Sequence, residues 1–168
     1  MFCECNNIIG ADLSNFNCEK ILKMEEMFCT CGNLIYIDFP LYNMKNVKNM
    51  SKMFYHCENL INLSFFNSEN VTDMNEMFCC CRKLKNINLA SLNLKNVANM
   101  SKMFEGCDNL ENVDLHSLNL ENLTNMSNMF NRCEKLRNAN LSSLNIQKQI
   151  NMDHMFCECS GLTDIDFS

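Results

Sequence analysis

The pair Met-Phe begins at residues 1, 27, 53, 77, 103, 129 and 155, at intervals of 26, 26, 24, 26, 26 and 26, and occurs nowhere else in the 168 residues. A fixed period of this length marks a stacked repeat architecture and should be read before any local structure. One unit of 26 residues cannot enclose a core, whereas stacked copies bury a continuous one. Residues 1–168 therefore read as a single repeat array without a linker. No terminal caps are recognisable.

Counting positions from each Met-Phe, position 5 is always Cys: Cys5, Cys31, Cys57, Cys81, Cys107, Cys133 and Cys159. Position 8 is Leu or Ile. Position 17 is Asn in the six copies that reach it: Asn17, Asn43, Asn67, Asn93, Asn119 and Asn145. Position 24 is Met in the same six. The third copy is two residues short between Phe65 and Asn67, where a loop tolerates deletion.

The spacing predicts local structure. Met100, Met103, Phe104, Cys107 and Leu110 step by 3, 1, 3 and 3, which reads as one face of a short helix. The following Leu110-x-x-Val113-x-Leu115 alternates at its centre and predicts a strand near residues 111–115. The expected fold is an α/β repeat. It is a right-handed leucine-rich-repeat solenoid of about seven strand–loop–short helix turns, with a parallel sheet on one face.

From Asn96 to Leu115 the chain reads Asn-Val-Ala-Asn-Met-Ser-Lys-Met-Phe-Glu-Gly-Cys-Asp-Asn-Leu-Glu-Asn-Val-Asp-Leu. This sentence resembles the BspA-like surface-protein repeats of bacteria and protists, and the resemblance covers the whole chain. It implies a solenoid used for adhesion or protein binding, without catalytic residues. The chain departs from the usual form in its Cys at position 3 of four copies.

Composition narrows the function. The chain is 47% apolar and 20% charged, enough to bury a core. Its net charge of −6 lacks the basic surface that nucleic acids and anionic membranes require. No phosphate loop, dinucleotide fingerprint or nucleophile elbow occurs. The three histidines, His56, His116 and His154, fall at different repeat positions. The expectation is a protein that is not an enzyme and has no cofactor.

The position-5 cysteines read as small buried hydrophobes, stacked one per turn. A second set, Cys3, Cys29, Cys79 and Cys157, sits two residues before four of them and would point outward from a helix. No metal site is assigned. Soft-metal binding by this outward set ranks third among the functional readings. No basic cluster in the sequence lowers the reactivity threshold of these thiols. The Asn column at position 17 reads as a buried ladder that satisfies loop backbone.

Function is expected on the strand face. Positions 10 and 12 point to one side of a strand, away from core positions 11 and 13. They build an Asn/Asp wall, and with Arg137 of position 9 the middle of the patch is Tyr36, Asp38, Asn62, Asn88, Asn112, Asp114, Arg137, Asn138 and Asn140. The first reading is a protein-binding or adhesion module using this face. The alternative is a structural block that stacks end to end through uncapped ends, as possible self-association. The partner is a protein, without nucleic acid or a membrane span. The compartment evidence conflicts. The family resemblance points to the cell surface, and 13 cysteines point to a reducing interior.

Overall fold

The computed structural model describes residues 1–38, 44–63, 69–89, 92–145 and 148–168, and Asn62 by its backbone alone. Six short strands lie among them: β1 (Gly10–Asp12), β2 (Tyr36–Asp38), β3 (Asn62–Leu63), β4 (Asn112–Asp114), β5 (Asn138–Asn140) and β6 (Asp164–Asp166). All pairings are parallel, and the partners stand one repeat apart: Gly10 opposite Tyr36, Tyr36 opposite Asn62, Asn112 opposite Asn138, Asn138 opposite Asp164. The strands form two three-stranded sheets, β1–β2–β3 and β4–β5–β6. Between them Asn86 reaches β4 only through an isolated bridge to Asn112.

The described residues contain no helix. The segment expected to be helical is a chain of tight turns. The Met103 amide donates to the Met100 carbonyl at 3.3 Å, the Cys107 amide to Phe104 at 3.1 Å, and the Leu110 amide to Cys107 at 3.0 Å. The third residue of the first two turns has positive φ, +57° at Lys102 and +69° at Gly106. That sign at that position is the type II turn. First and last residues of each turn face inward, which places Met100, Met103, Phe104, Cys107 and Leu110 in the core. A helix face buries the same i, i+3, i+4, i+7 positions. The spacing therefore suits a row of turns and a helix alike, and it carried the helical expectation.

The amides between these closures point along the stack. Met100, Lys102, Phe104 and Gly106 donate to the carbonyls of Asn125, Ser127, Met129 and Asn131 in the next turn, at 2.8, 2.9, 3.0 and 2.8 Å. Isolated parallel bridges continue the line from Lys23 through Asn49, Asp73, Asn99 and Asn125 to Asn151. Alternate amides thus close turns and join turns, which leaves few buried donors unpaired. The geometry is a parallel ladder made of turns.

Positive φ recurs at two repeat positions. One column holds Glu26, Lys52, Glu76, Lys102, Asn128 and His154. The other holds Glu4, Thr30, His56, Cys80, Gly106, Arg132 and Glu158. A non-glycine residue there costs roughly 1–2 kcal/mol. The bonds on both sides of each turn hold it in place.

One apolar cluster runs through the stack, and the position-24 and position-1 methionines from Met24 to Met155 are mostly buried in it. Phe2, Phe28, Phe54, Phe78, Phe104, Phe130 and Phe156 form one column of rings, with centroids 5.1 to 5.8 Å apart and planes within 17° of parallel. Phe104 is fully buried, with rings at 5.6 and 5.8 Å on either side. Phe104→Ala is expected to cost about 3–5 kcal/mol, read as a fall in urea midpoint at unchanged slope. Phe2→Ala, at a half-buried ring with one stacked neighbour, is expected to cost less than half of that.

Candidate strand-face site and the thiol columns

The strand face gathers most of the residues expected on it. Tyr36 and Asp38 stand exposed on β2, and Asn112, Asp114 and Asn138 stand exposed on β4 and β5. Asn88 and Arg137 are exposed beside them, and Asn140 is half-buried. The side chain of Asn62 lies outside the described residues. A shallow groove of about 470 Å³ crosses this face, lined by residues that include Asn86, Asn88, Asn112, Asp114, Asn138 and Asn140. The Asn138 Nδ2 donates to Asn112 Oδ1 at 2.8 Å, which joins neighbouring strands through their side chains. Tyr36 lies across Gly10, where a Cβ would stand 2.2 Å from its ring. The missing side chain of Gly10 makes room for that ring.

Position 12 also has a local task. Asp114 Oδ1 accepts the His116 amide at 2.9 Å, and Asn140 Oδ1 accepts the amide and hydroxyl of Ser142 at 3.1 and 2.7 Å. Asp12 and Asp166 do the same for Ser14 and Ser168. These bonds hold the Asp12 and Asp166 carboxyls below the usual range. Such an Asx turn ends the strand and uses one oxygen of each side chain.

The Asn column at position 17 is corrected in its burial. Asn17, Asn93, Asn119 and Asn145 are exposed. The Oδ1 atoms of Asn17, Asn93 and Asn119 accept the amides of Glu19, Lys95 and Glu121 within their own turns, at 2.9, 3.3 and 3.1 Å. Asn43 and Asn67 lie outside the described residues. Bonds between turns come from Asn columns that the sequence reading passed over. Asn46, Asn96 and Asn122 donate to the carbonyls of Glu19, Glu69 and Lys95 at 2.7, 2.7 and 2.8 Å. Asn33, Asn59 and Asn109 donate to Asn6, Gly32 and Arg82 at 2.7, 2.6 and 2.7 Å. Their regular recurrence was the available signal.

From the second copy on, the position-5 thiols bond backward. Cys31, Cys57, Cys81, Cys107, Cys133 and Cys159 donate to the carbonyls of Phe2, Phe28, Phe54, Phe78, Phe104 and Phe130 at 2.9 to 3.2 Å. Cys5, in the first copy, is half-buried. Burial pushes the Cys57, Cys81, Cys107 and Cys133 thiols well up, so they stay protonated. A buried, protonated thiol neither exchanges nor ligates readily in any compartment. The cysteine content therefore gives no support to a reducing interior.

The expected outward set is uneven. Cys3 and Cys157 are exposed, Cys29 is half-buried, and Cys79 is buried. Cys3 is raised by burial and by its contact with Cys29. Among the described residues no three His, Cys, Asp or Glu side chains converge on a metal position. Cys79 instead meets Cys80, Sγ to Sγ, at 3.7 Å. The Cys79 contact pulls the Cys80 thiol down to about 6, helped by His56 and Arg82 and opposed by burial and Glu105. Cys79 is correspondingly raised. The assignment follows exposure, since the half-buried sulfur keeps a charge more easily than the buried one. Sequence reading missed this cluster, because His56 is 24 residues from Cys80 and the fold alone makes them neighbours.

The buried thiols set a pH limit. Their folded values lie above those of the unfolded chain, so their stabilisation is complete below about pH 8.5 and is lost as pH rises. Cys57, Cys81, Cys107 and Cys133 should together remove about 4 kcal/mol between pH 9 and 10, roughly 1 kcal/mol each. Urea unfolding at both pH values checks this. An unchanged midpoint would contradict the buried thiol column.

A family model described as "Mycoplasma protein of unknown function, DUF285" matches residues 1–86 and 59–166. A comparison with curated proteins finds no match. Among solved structures, the chain is similar to a leucine rich cell surface protein from Faecalibacterium prausnitzii A2-165. Identity is 15%, over 98% of this chain and 61% of that one, with a TM-score of 0.43. It is also similar to a leucine-rich repeat protein from Bacteroides ovatus ATCC 8483, at 13% identity over 97% and 61%, with a TM-score of 0.39. The chain spans about three fifths of the length of both.

Proposed function

The chain belongs to the DUF285 family of BspA-like repeat proteins, and from that premise we propose that it is a non-enzymatic, surface-displayed module that binds a protein partner through its strand face. The observation that supports this most is the exposed pair of strands β4 and β5 with the groove across them. Backbone groups there are already paired within the sheet. Beyond the Asn138–Asn112 bond and the Asp114 turn, the exposed polar atoms of Asn112, Asp114, Asn138 and Arg137 face solvent and can meet a partner. Their chemistry suits a polar protein surface, since amides both donate and accept and Arg137 adds a forked cation. Small polar side chains on a rigid scaffold lose little entropy on binding. Display on the cell exterior is what the resemblance of the repeat sentence to BspA-like surface proteins implies.

A photo-crosslinking amino acid placed at Asn138 on intact cells is expected to give discrete protein adducts. The same group at the exposed Glu121, outside the strand face, is expected to give none. Arg137→Ala should weaken capture of the Asn138 adduct partner about tenfold, the usual cost of a central arginine. Equal adducts from both positions, or none from Asn138, would reject the strand face as the binding surface.

A further inference from the structure

The Cys79–Cys80 pair lies on the turn ladder, away from the strand face, and neither the family nor the proposed function uses it. Four observations meet there. Two sulfurs stand 3.7 Å apart, with Cys79 buried and Cys80 half-buried. His56 occupies the same column one turn before Cys80, and the His56 amide bonds the Cys79 carbonyl at 2.8 Å. Arg82 follows two residues later, with its Nε 3.9 Å from Asp108. On the other side stands Gly106, the one glycine of this column. A Cβ there would come within 3.1 Å of the Cys80 sulfur, so the glycine keeps that flank open. The surrounding charges are mixed. His56 and Arg82 favour a thiolate on Cys80, and Glu105 opposes it. Glu76 acts on Cys79. Tyr55 packs on His56, with ring centroids 4.5 Å apart.

We propose that Cys80 is a thiol-modification site, which takes small-molecule disulfides as its reaction partner with Cys79 as the hydrogen-bond donor that holds its thiolate. The Cys80 sulfur attacks one sulfur of the disulfide R–S–S–R. A Cys80–S–S–R bond forms, the R–S–S–R bond breaks, and one R–S⁻ leaves with the electron pair. The protein thiol is oxidised and the departing thiol is reduced. Cys79 keeps its proton. It does not displace the adduct, because adjacent Cα atoms lie about 3.8 Å apart, shorter than the roughly 4.4–6.8 Å that disulfides usually span. Burial, not charge, silences the position-5 column. Cys3 and Cys157 are more exposed than Cys80, but Glu4 and Glu26 act against a thiolate on Cys3, and Cys157, with Arg132 near it, has no adjoining cysteine to donate to it.

The test uses the reduced full chain with 5,5′-dithiobis(2-nitrobenzoate) at pH 6, followed by peptide mapping under non-reducing conditions. One fast equivalent is expected, located on Cys80 and about tenfold faster than an ordinary exposed thiol. That factor is the gain in thiolate fraction less the loss in intrinsic nucleophilicity. Cys80→Ser should remove the fast phase. Cys79→Ala should slow it several-fold at pH 6 but make it equal or faster at pH 9, where Cys80 is ionised in both chains and the less stabilised thiolate is the better nucleophile, a reversal that a packing role would not produce. A fast adduct mapped to Cys3 or Cys157 would show that exposure alone sets reactivity and would overturn the proposal. So would two released equivalents with no retained mass, which would mean closure of a Cys79–Cys80 disulfide. The mapping is made on the unsubstituted chain and does not depend on any variant folding.

Discussion

The fold rests on a carbonyl that is used twice. In turn after turn the Phe carbonyl accepts the amide of its own Cys and the thiol of the next. The Phe104 carbonyl takes the Cys107 amide and the Cys133 thiol, each at 3.1 Å. The first bond closes a turn and the second ties it to its neighbour. A carbonyl has two lone pairs, and this arrangement fills both. Position 5 must therefore supply a donor that is small and otherwise apolar, and Cys is among the few residues that fit. The adjoining ring column stacks at 5.1 to 5.8 Å, one ring per turn, adding contact area without any polar demand.

Much of this architecture was legible because the period is written in the sequence. Residues 26 apart fall opposite one another, and the strand expected near 111–115 is found at Asn112–Asp114. The helix was misread for a definable reason. Apolar residues three apart satisfy a helix face and a row of turns alike. The information that separates them lies in the backbone: a positive φ at Lys102 or Arg132 is not announced by a residue type that favours it. Glycine would have announced it, and only Gly106 does in that column.

The candidate face was legible for the same reason as the strands, since alternation assigns sides. What alternation could not assign was how the polar atoms were employed. Asn140 reads as a surface amide and serves as the stop of its strand. Asn17 reads as buried and stands in solvent, bonding its own turn. The thiol cluster was hidden more deeply. His56 and Cys80 belong to different copies, one of them the shortened copy, and their proximity depends on register across the stack rather than on any local motif.

The turn side passes the shortened copy without a change of register. Among the described residues the strands pair as β1–β2–β3 and β4–β5–β6, whereas the line of bridges from Lys23 to Asn151 runs unbroken, Asn49 to Asp73 to Asn99. A change of length in one copy is thus refused on the turn side. An array built this way has a continuous seam and an editable front. Copies can lose residues, and the outline of the front can be redrawn, while the register that holds the molecule together passes from copy to copy intact.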